Sequence, residues 1–473
     1  MSNGTVGNFV KEEILNKAPN KDAVPEVKCE YGVFETIPEC IDAAEKAQQE
    51  LVEKFTLKDR KVFEEAVRKA FIDEHVNLAQ LEYDETGYGR VADKIPQING
   101  TAHSAPGVDY LPSGMFCNDD GLTIEYYAPF GIIGALTPVT NPACTILGNG
   151  LANMAAGNAM VFNAHPSGKV STAVALQLFN KAVVEAGGPN NILTMVKIPT
   201  MDTLKEITDS PKVSLMIGTG GPGMVATLMK SGKKAIVAGP GNPPSIVDEG
   251  VDIAKAAAGI LAIASFNNNI LCIAEKEIFV LESVADQLVE EFKKLGCQQL
   301  TDEEAAKVKD LILLETPGSV SGYSPNKKYV GKDAAIILQD AGVEVTCDDP
   351  RLAIWVTDND DPLVQTEQMM PIMPIVKCKT FEEALERAYN AEHQNKHSSG
   401  IWTNNAYHAT AMAKKMNTTV FVQNGPMNAA FGNGGAGTDA PTIATPTGEG
   451  PTGPWTFVRK RRMALADGLY YAL

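Results

Sequence analysis

Residues 131–163 read GIIGALTPVTNPACTILGNGLANMAAGNAMVFN, and this stretch decides the fold. GIIGALTPV is a short, almost unbroken apolar run, the pattern of a strand buried on both faces. PACTILGNGLANMAAG reads as a helix rich in small residues, and NAMVFN as a second buried strand. A strand, a helix and another strand in succession imply a right-handed crossover and a parallel sheet covered on both sides. Ligands of such sheets are expected beyond the carboxyl ends of the strands.

The same alternation runs outward from this unit. GKVSTAVALQLFNKAVVEAG reads as a helix, NILTMVK as a strand and the segment near Met201–Ile207 as a helix. KVSLMIG, PGMVATLMKSG and KAIVAG follow as strand, helix and strand. On the amino side, Ile37 to about Leu81 is mainly helical, with Phe63, Val67, Ala70 and Phe71 on one face. Residues 18–29, with two prolines and several charges, read as a linker. Residues 1–17 place Val6, Phe9, Val10 and Ile14 at helical spacing. On the carboxyl side a second alternation begins: Val251–Ser265 and Ser283–Leu295 read as helices and KEIFVL as a strand. LTIEYYAP (122–129) and TFVRKRRMAL (456–465) read as short alternating strands outside both blocks.

The chain of 473 residues is long enough for two or three domains, and its 44% hydrophobic and 21% charged content is that of a soluble globular protein. No apolar run approaches the roughly 20 residues of a membrane span, and the amino terminus lacks the apolar core of a secretory signal. A net charge of −17 argues against nucleic-acid or anionic-membrane partners, and the quartet Arg459–Arg462 reads as a solvated or ion-paired surface. Eight cysteines are scattered without a C-x-x-C pair, and the six histidines complete no zinc signature. Free thiols in a reducing, intracellular compartment fit best, and no metal site is expected.

Three stretches carry chemistry. IGTGGPGMV (217–225) follows a strand and opens a helix, and Gly218, Gly220 and Gly223 satisfy G-x-G-x-x-G. Backbone amides there could approach a pyrophosphate, but a tight turn without a ligand fits equally well. Asn141, in TPVTNPACT, stands between a strand and a helix, where it reads either as a helix N-cap or as an oxyanion donor. Cys272, in SFNNNILCIAEK (265–276), is left with core packing or catalysis once disulfide and metal are set aside.

Taken together, SFNNNILCIAEK, GTGGPG, AGPGNPP and TNP resemble the CoA-acylating branch of the aldehyde dehydrogenase superfamily, the acetaldehyde/propionaldehyde dehydrogenases of bacterial microcompartments. EQMMPIMPIV (367–376), VQNGP (422–426) and TPTGEG (445–450) extend the resemblance, which runs from about residue 30 to the carboxyl terminus. It implies Cys272 as nucleophile and Asn141 as the side-chain half of an oxyanion hole, the backbone N–H of Cys272 being the other half. Thr219, Gly220 and Gly221 match the turn beside the nicotinamide, Glu367 a carboxylate that holds the nicotinamide ribose, and His165–Pro166 a cofactor-side position; a purely structural histidine is the alternative there. The implied cofactor is NAD, with NADP not excluded, and coenzyme A is the co-substrate.

The implied architecture is an α/β aldehyde dehydrogenase-like fold. Residues 30–121 and 131–238 would form a parallel-sheet cofactor domain and 239–440 an α/β catalytic domain. Residues 122–130 and 441–473 would supply small β oligomerisation strands, and 1–17 a candidate encapsulation helix that binds a shell protein. A short-chain aldehyde, a homodimer or homotetramer and a cytoplasmic location inside a microcompartment complete the expectation. Hydrolytic relatives carry a glutamate where this chain has Gly239; its absence favours acyl-CoA over free acid as product. The alternatives are a hydrolytic aldehyde dehydrogenase and a non-catalytic assembly protein of the same fold. The chain departs from the family pattern at Asn267, usually aspartate, at Leu271, usually proline, and in the loops 427–440 and 452–455.

Overall fold

A computed structural model describes residues 18–466; the helix expected over 1–17 lies outside the described residues. The chain divides into two compact units. One holds Asn20–Thr86, Ile95–Ala238 and the segment from Asp439 on; the other holds Gly87–Lys94 and Gly239–Thr438. Among the described residues no helix is long and apolar enough to cross a membrane.

In the first unit, six parallel strands run in the order Val33–Phe34, Leu193–Val196, Ala159–Ala164, Ile132–Thr137, Val213–Thr219, Lys234–Ala238. Ile132–Thr137 and Ala159–Ala164 are buried at every position, which is why they read as continuous apolar runs rather than alternating ones. Pro142–Ala156 joins them and is buried along its whole length, so its small residues serve close packing on all sides. Helix Ile37–Lys54 begins with a reciprocal capping box between Thr36 and Glu39, a device worth about 1 kcal/mol. It buries Ile37, Cys40, Ile41 and Ala44 against Ile132, Val161 and Val213 of the sheet. Phe63, Val67 and Phe71 are buried along Leu57–Thr86, while Ala70 is only half-buried.

The two alternating segments outside the α/β blocks pair with each other. Gly121–Pro129 lies antiparallel to Val458–Leu465, with Val458 opposite Pro129 and Leu465 opposite Leu122. A third strand, Gly114–Asn118, pairs on the other side of Gly121–Pro129. That strand falls inside the segment 30–121 expected to belong to the cofactor domain. It is almost wholly exposed, so no buried alternation marks it in the sequence.

The second unit contains seven parallel strands in the order Gln298–Gln299, Ala353–Thr357, Ile372–Cys378, Glu277–Leu281, Pro244–Val247, Ser398–Trp402, Val420–Gln423. Alternate residues of Glu277–Leu281 face opposite layers. Ile278 and Val280 pack with Ala285, Leu288 and Phe292, whereas Phe279 and Leu281 pack with Phe381, Ala384 and Met412. Gly87–Lys94 clusters with this unit rather than with the 30–121 segment. The cause is local: Arg90 forks onto Asp349 at 2.8 Å through both terminal nitrogens and reaches Asp333 at 2.6 Å. Asp93 pairs with Arg351 at 2.5 Å.

Candidate active site

Four neighbouring strands of the seven-stranded sheet are entered through the residues that carry chemistry. Gly239–Asn242 leads into Pro244–Val247, and Cys272–Lys276 into Glu277–Leu281. Glu367 and Gln368 precede Ile372–Cys378, and His397 precedes Ser398–Trp402. Since these strands are adjacent and parallel, the four loops converge at one edge. That edge is the amino end of the strands, opposite to the carboxyl-end crevice expected for the first sheet. The carboxyl-end rule describes ligands at switch points of doubly wound sheets; here the candidate groups lie on the loops feeding the strands.

The loop ahead of Cys272 is locked by its three asparagines. Asn267, Asn268 and Asn269 all adopt positive φ, at 50°, 57° and 62°. Asparagine tolerates this left-handed region better than other side-chain-bearing residues. Each one is also clamped. Asn267 Oδ1 accepts the Arg90 N–H at 3.0 Å, and its own N–H donates to Asp93 at 2.8 Å. Asn268 Nδ2 donates to the Gly331 carbonyl and to Asp333. Asn269 Nδ2 donates to the carbonyls of Ala264 and Glu275. Gly89, at φ +73°, lies so close to the Asn267 side chain that a Cβ would overlap it. An aspartate, the usual family residue at 267, would keep the same acceptor and the same backbone tolerance.

Cys272 is half-buried. Burial pushes its thiol up to about 12, the Glu367 charge pushes the same way, and Lys276 opposes both. At rest this side chain is thus a protonated thiol. Gly241 stands beside it: a Cβ there would come within 2.8 Å of the His397 ring and 2.9 Å of the Cys272 carbonyl. The Gly241 N–H is held by Glu367, whose carboxyl burial raises to about 7. His397 is fully buried, and burial lowers it to about 4, so the ring is neutral. Its Nδ1 lies 2.8 Å from Ser398 Oγ, and its Nε2 has no partner among the described residues. Glu277 and Glu275 are buried with raised pKa values, the latter at about 8. Lys276 and His397 escaped the sequence reading. A lysine next to a motif is indistinguishable from a surface charge, and His397 joins the group only through strand order.

The remaining sequence candidates belong to the six-stranded unit. Its strand order reverses between Ile132–Thr137 and Val213–Thr219, the switch point at which such sheets open a crevice at their carboxyl ends. Thr137 and Thr219 end these two strands, and each keeps a buried hydroxyl without a partner among the described residues. Gly220 donates to the Ala238 carbonyl at 3.2 Å, and Gly221 opens the helix Pro222–Met229 without a side-chain cap. A Cβ on Gly223 would meet nothing, whereas one on Gly218 would meet Leu228 at 2.5 Å. The three glycines of the motif therefore differ, and Gly218 serves helix–strand packing.

Asn141 occupies the N-cap position of Pro142–Ala156, yet its side chain makes no capping bond. Glu82 takes that role, accepting the Ala143 N–H at 2.7 Å. Asn141 Oδ1 instead accepts from the Thr140 hydroxyl at 3.0 Å, which turns the amide NH₂ away from Thr140. His165 is exposed and caps the short turn Pro166–Gly168 by accepting the Ser167 N–H at 3.1 Å. In the basic quartet, Arg462 pairs with Glu125, and Arg461 lies over the Tyr126 ring.

Two parallel α/β sheets and a clamped cysteine loop define an aldehyde dehydrogenase architecture. The sequence pattern of the aldehyde dehydrogenase family matches residues 12–311 and 349–438, and the chain belongs to that family. It is 39% identical to the acetaldehyde dehydrogenase (acetylating) of Bilophila wadsworthia over 93% of this chain and 91% of that one. It is 38% identical to the propanal dehydrogenase (CoA-propanoylating) of Salmonella typhimurium over 92% of each. Among solved structures, a propionaldehyde dehydrogenase from the Clostridium phytofermentans fucose utilisation microcompartment superposes with a TM-score of 0.89 at 40% identity, covering 93% of this chain and 99% of that one. A Rhodopseudomonas palustris propionaldehyde dehydrogenase with bound CoA and an acylated cysteine gives 0.88 at 36% identity, covering 92% and 98%.

Proposed function

We infer that this chain is a CoA-acylating aldehyde dehydrogenase that oxidises a short-chain aldehyde to its acyl-CoA through a thioester on Cys272. The observation that carries the reading is the clamped Cys272 loop, packed against Gly241 with no carboxylate at position 239. A nicotinamide cofactor, when bound, would supply the acceptor for the hydride that the substrate carbon loses. The carboxyl-end crevice suits such a group, since Thr219 offers an unpartnered buried hydroxyl and Gly220–Gly221 a turn without obstructing side chains.

The steps follow from the residues. Cys272 gives its proton to solvent water, and its sulfur adds to the aldehyde carbonyl to give a thiohemiacetal. Asn141, by the family pattern, donates its amide to the oxyanion, together with the Cys272 N–H. Hydride leaves the carbon as the C–O⁻ reforms a carbonyl, and a thioester remains on Cys272. The CoA thiol then attacks, its sulfur replaces that of Cys272, and its proton needs a base. His397 is the group suited to take it, a neutral imidazole with an unpartnered buried Nε2. Gly239 offers no base to activate water, so the thioester persists until CoA arrives.

The finer assignments belong to the same reading. Acetaldehyde or propionaldehyde is the substrate, and NAD is preferred over NADP. Glu367, whose carboxylate lies on the Gly241 N–H, and the exposed His165–Pro166 complete the cofactor contacts. The three-stranded sheet of Gly114–Asn118, Gly121–Pro129 and Val458–Leu465 pairs between subunits of a homodimer or homotetramer, which covers its open edges. Residues 1–17 dock on a microcompartment shell protein. The test of the central assignment is product analysis with aldehyde, NAD⁺ and CoA: acyl-CoA and NADH in equal amounts from the unmodified chain, and neither from Cys272→Ala with its nucleotide affinity intact. Free acid formed rapidly without CoA would establish the hydrolytic alternative instead.

A further inference from the structure

Lys276 is a fully buried lysine with side-chain hydrogen bonds turned onto the segment that delivers Cys272. Its Nζ donates to the carbonyl of Asn269 at 3.0 Å, to that of Leu271 at 2.9 Å and to the Asn269 side-chain oxygen. The lysine is itself anchored at both backbone groups. Its N–H donates to the Pro243 carbonyl at 3.0 Å, and its carbonyl accepts from Gln368 Nε2 at 3.1 Å. Gln368 also holds the Ile372 carbonyl, so the lysine is fixed to strands on either side of its own. A buried ammonium is expensive unless it is fully solvated by the protein, and a lysine placed only to fill space would be a poor choice here.

The contact with Leu271 has a geometric consequence. In a trans peptide the C=O and the following N–H point in opposite directions. With the Leu271 carbonyl pinned to Lys276, the Cys272 N–H is turned away from the lysine, and the N–H groups of Cys272 and Ile273 are directed toward the thiol. We propose that Lys276 is a positioning residue for the acylation step: it sets the Leu271–Cys272 peptide so that the Cys272 N–H meets the developing oxyanion, and its buried positive charge stabilises the Cys272 thiolate. The proposal rests on Cys272 being the nucleophile.

The groups facing Lys276 come from three elements. Cys272, Glu275 and Glu277 lie on its own segment, Glu367 on the approach to Ile372–Cys378, and His397 on the approach to Ser398–Trp402. Burial lowers Lys276 to about 8 against the pull of these carboxylates, so its charge is present at neutral pH and fades above that value.

The test uses the pre-steady-state burst of NADH and the alkylation rate of Cys272 by iodoacetamide, followed by mass spectrometry of its peptide. In Lys276→Met the burst rate should fall about 10²-fold, the cost of a misplaced oxyanion donor, with the nucleotide Kd and aldehyde KM within about threefold of the original. The alkylation rate at about pH 7, where the ammonium is present, should fall about tenfold, as for a thiol that loses a nearby cation. Lys276→Gln keeps donors without charge, so its burst should recover part of the loss while its alkylation rate at that pH stays low. Asn269→Ala keeps the charge and should slow the burst without lowering the alkylation rate. An alkylation rate and burst rate unchanged in Lys276→Met would overturn the proposal. If that variant does not fold, the unmodified enzyme decides: its burst rate should decline above about pH 8 as the ammonium is lost, and a steady rise to about pH 10 would overturn it. An inactive Cys272→Ala beside such a result would leave the nucleophile assignment standing.

Discussion

The two sheets of this protein use opposite ends. In the six-stranded sheet the candidate groups gather at the carboxyl ends of Ile132–Thr137 and Val213–Thr219, where the strand order reverses. The turns there are short, one of them the pair Gly220–Gly221, and Thr137 and Thr219 are left with unpartnered hydroxyls. In the seven-stranded sheet the candidate groups gather at the amino ends of four neighbouring strands. There Asn267, Asn268 and Asn269 each spend side-chain hydrogen bonds on holding the loop. On the proposed function, the difference follows from what each end must do. A cofactor that comes and goes needs backbone and hydroxyl groups left unspent for it. A nucleophile that stays needs its own backbone fixed in an unfavourable conformation, and only a dense set of internal bonds maintains that.

Substitutions at the two ends should therefore read out differently. Asn141→Ala, at the carboxyl-end crevice, should lower kcat by roughly 10²–10³ and leave the melting temperature within about 1–2 °C, because Glu82 rather than Asn141 caps the helix. A large loss of stability with kcat preserved would return Asn141 to a structural role. Asn268→Ala, at the amino-end loop, should do the reverse in emphasis. It removes bonds to the Gly331 carbonyl and Asp333 and puts an alanine at φ 57°. A stability loss of about 1–3 kcal/mol is expected in urea unfolding, with activity per folded molecule reduced less than in Asn141→Ala.

The smallest expected effect is a pH slope confined to the amino-end site. Burial raises Glu275 to about 8 and Glu367 and Glu392 to about 7, from 4.5. The folded chain thus holds protons that the unfolded chain releases. Their contribution to stability is complete below 4.5 and is lost as pH rises through 7 and 8. His397, lowered to about 4 from 6.5, works in the opposite sense, and only below 6.5. Lys276, lowered to about 8 from 10.5, gains stability only above about 8. Of these five groups the carboxyls alone set the slope between pH 6.5 and 8. Melting temperature should fall across that window, and Glu392→Gln should make the fall shallower.

What the sequence discloses differs between the ends in the same way. Strands such as Ile132–Thr137 and Ala159–Ala164 are legible because burial on both faces leaves only apolar residues. The GTGGPG turn is legible because its glycines are local. Gly114–Asn118 is hidden by its exposure, and the grouping of Gly87–Lys94 with the second unit by the long sequence distance between Arg90 and its partners Asp333 and Asp349. At the amino-end site, Cys272 and Glu367 were reachable only through motifs, since nothing in their spacing brings residues 241, 272, 367 and 397 together. Strand order does that, and strand order is not written in any local pattern. Asn141 reads two ways in the sequence because its competitor for the helix end, Glu82, lies about 60 residues earlier.

The central claim is that a thioester forms on Cys272 and waits for CoA. Mixing the enzyme with propionaldehyde and NAD⁺ but no CoA, and reading NADH together with intact protein mass, tests it directly. At most one NADH per active site is expected, with a propionyl adduct on the Cys272 peptide that is lost as propionyl-CoA when CoA is added. Water without a positioned base forgoes about 10²–10⁴-fold in rate, so the adduct should outlast the burst by minutes. Continuous NADH formation with release of propionate and no adduct at Cys272 would contradict it.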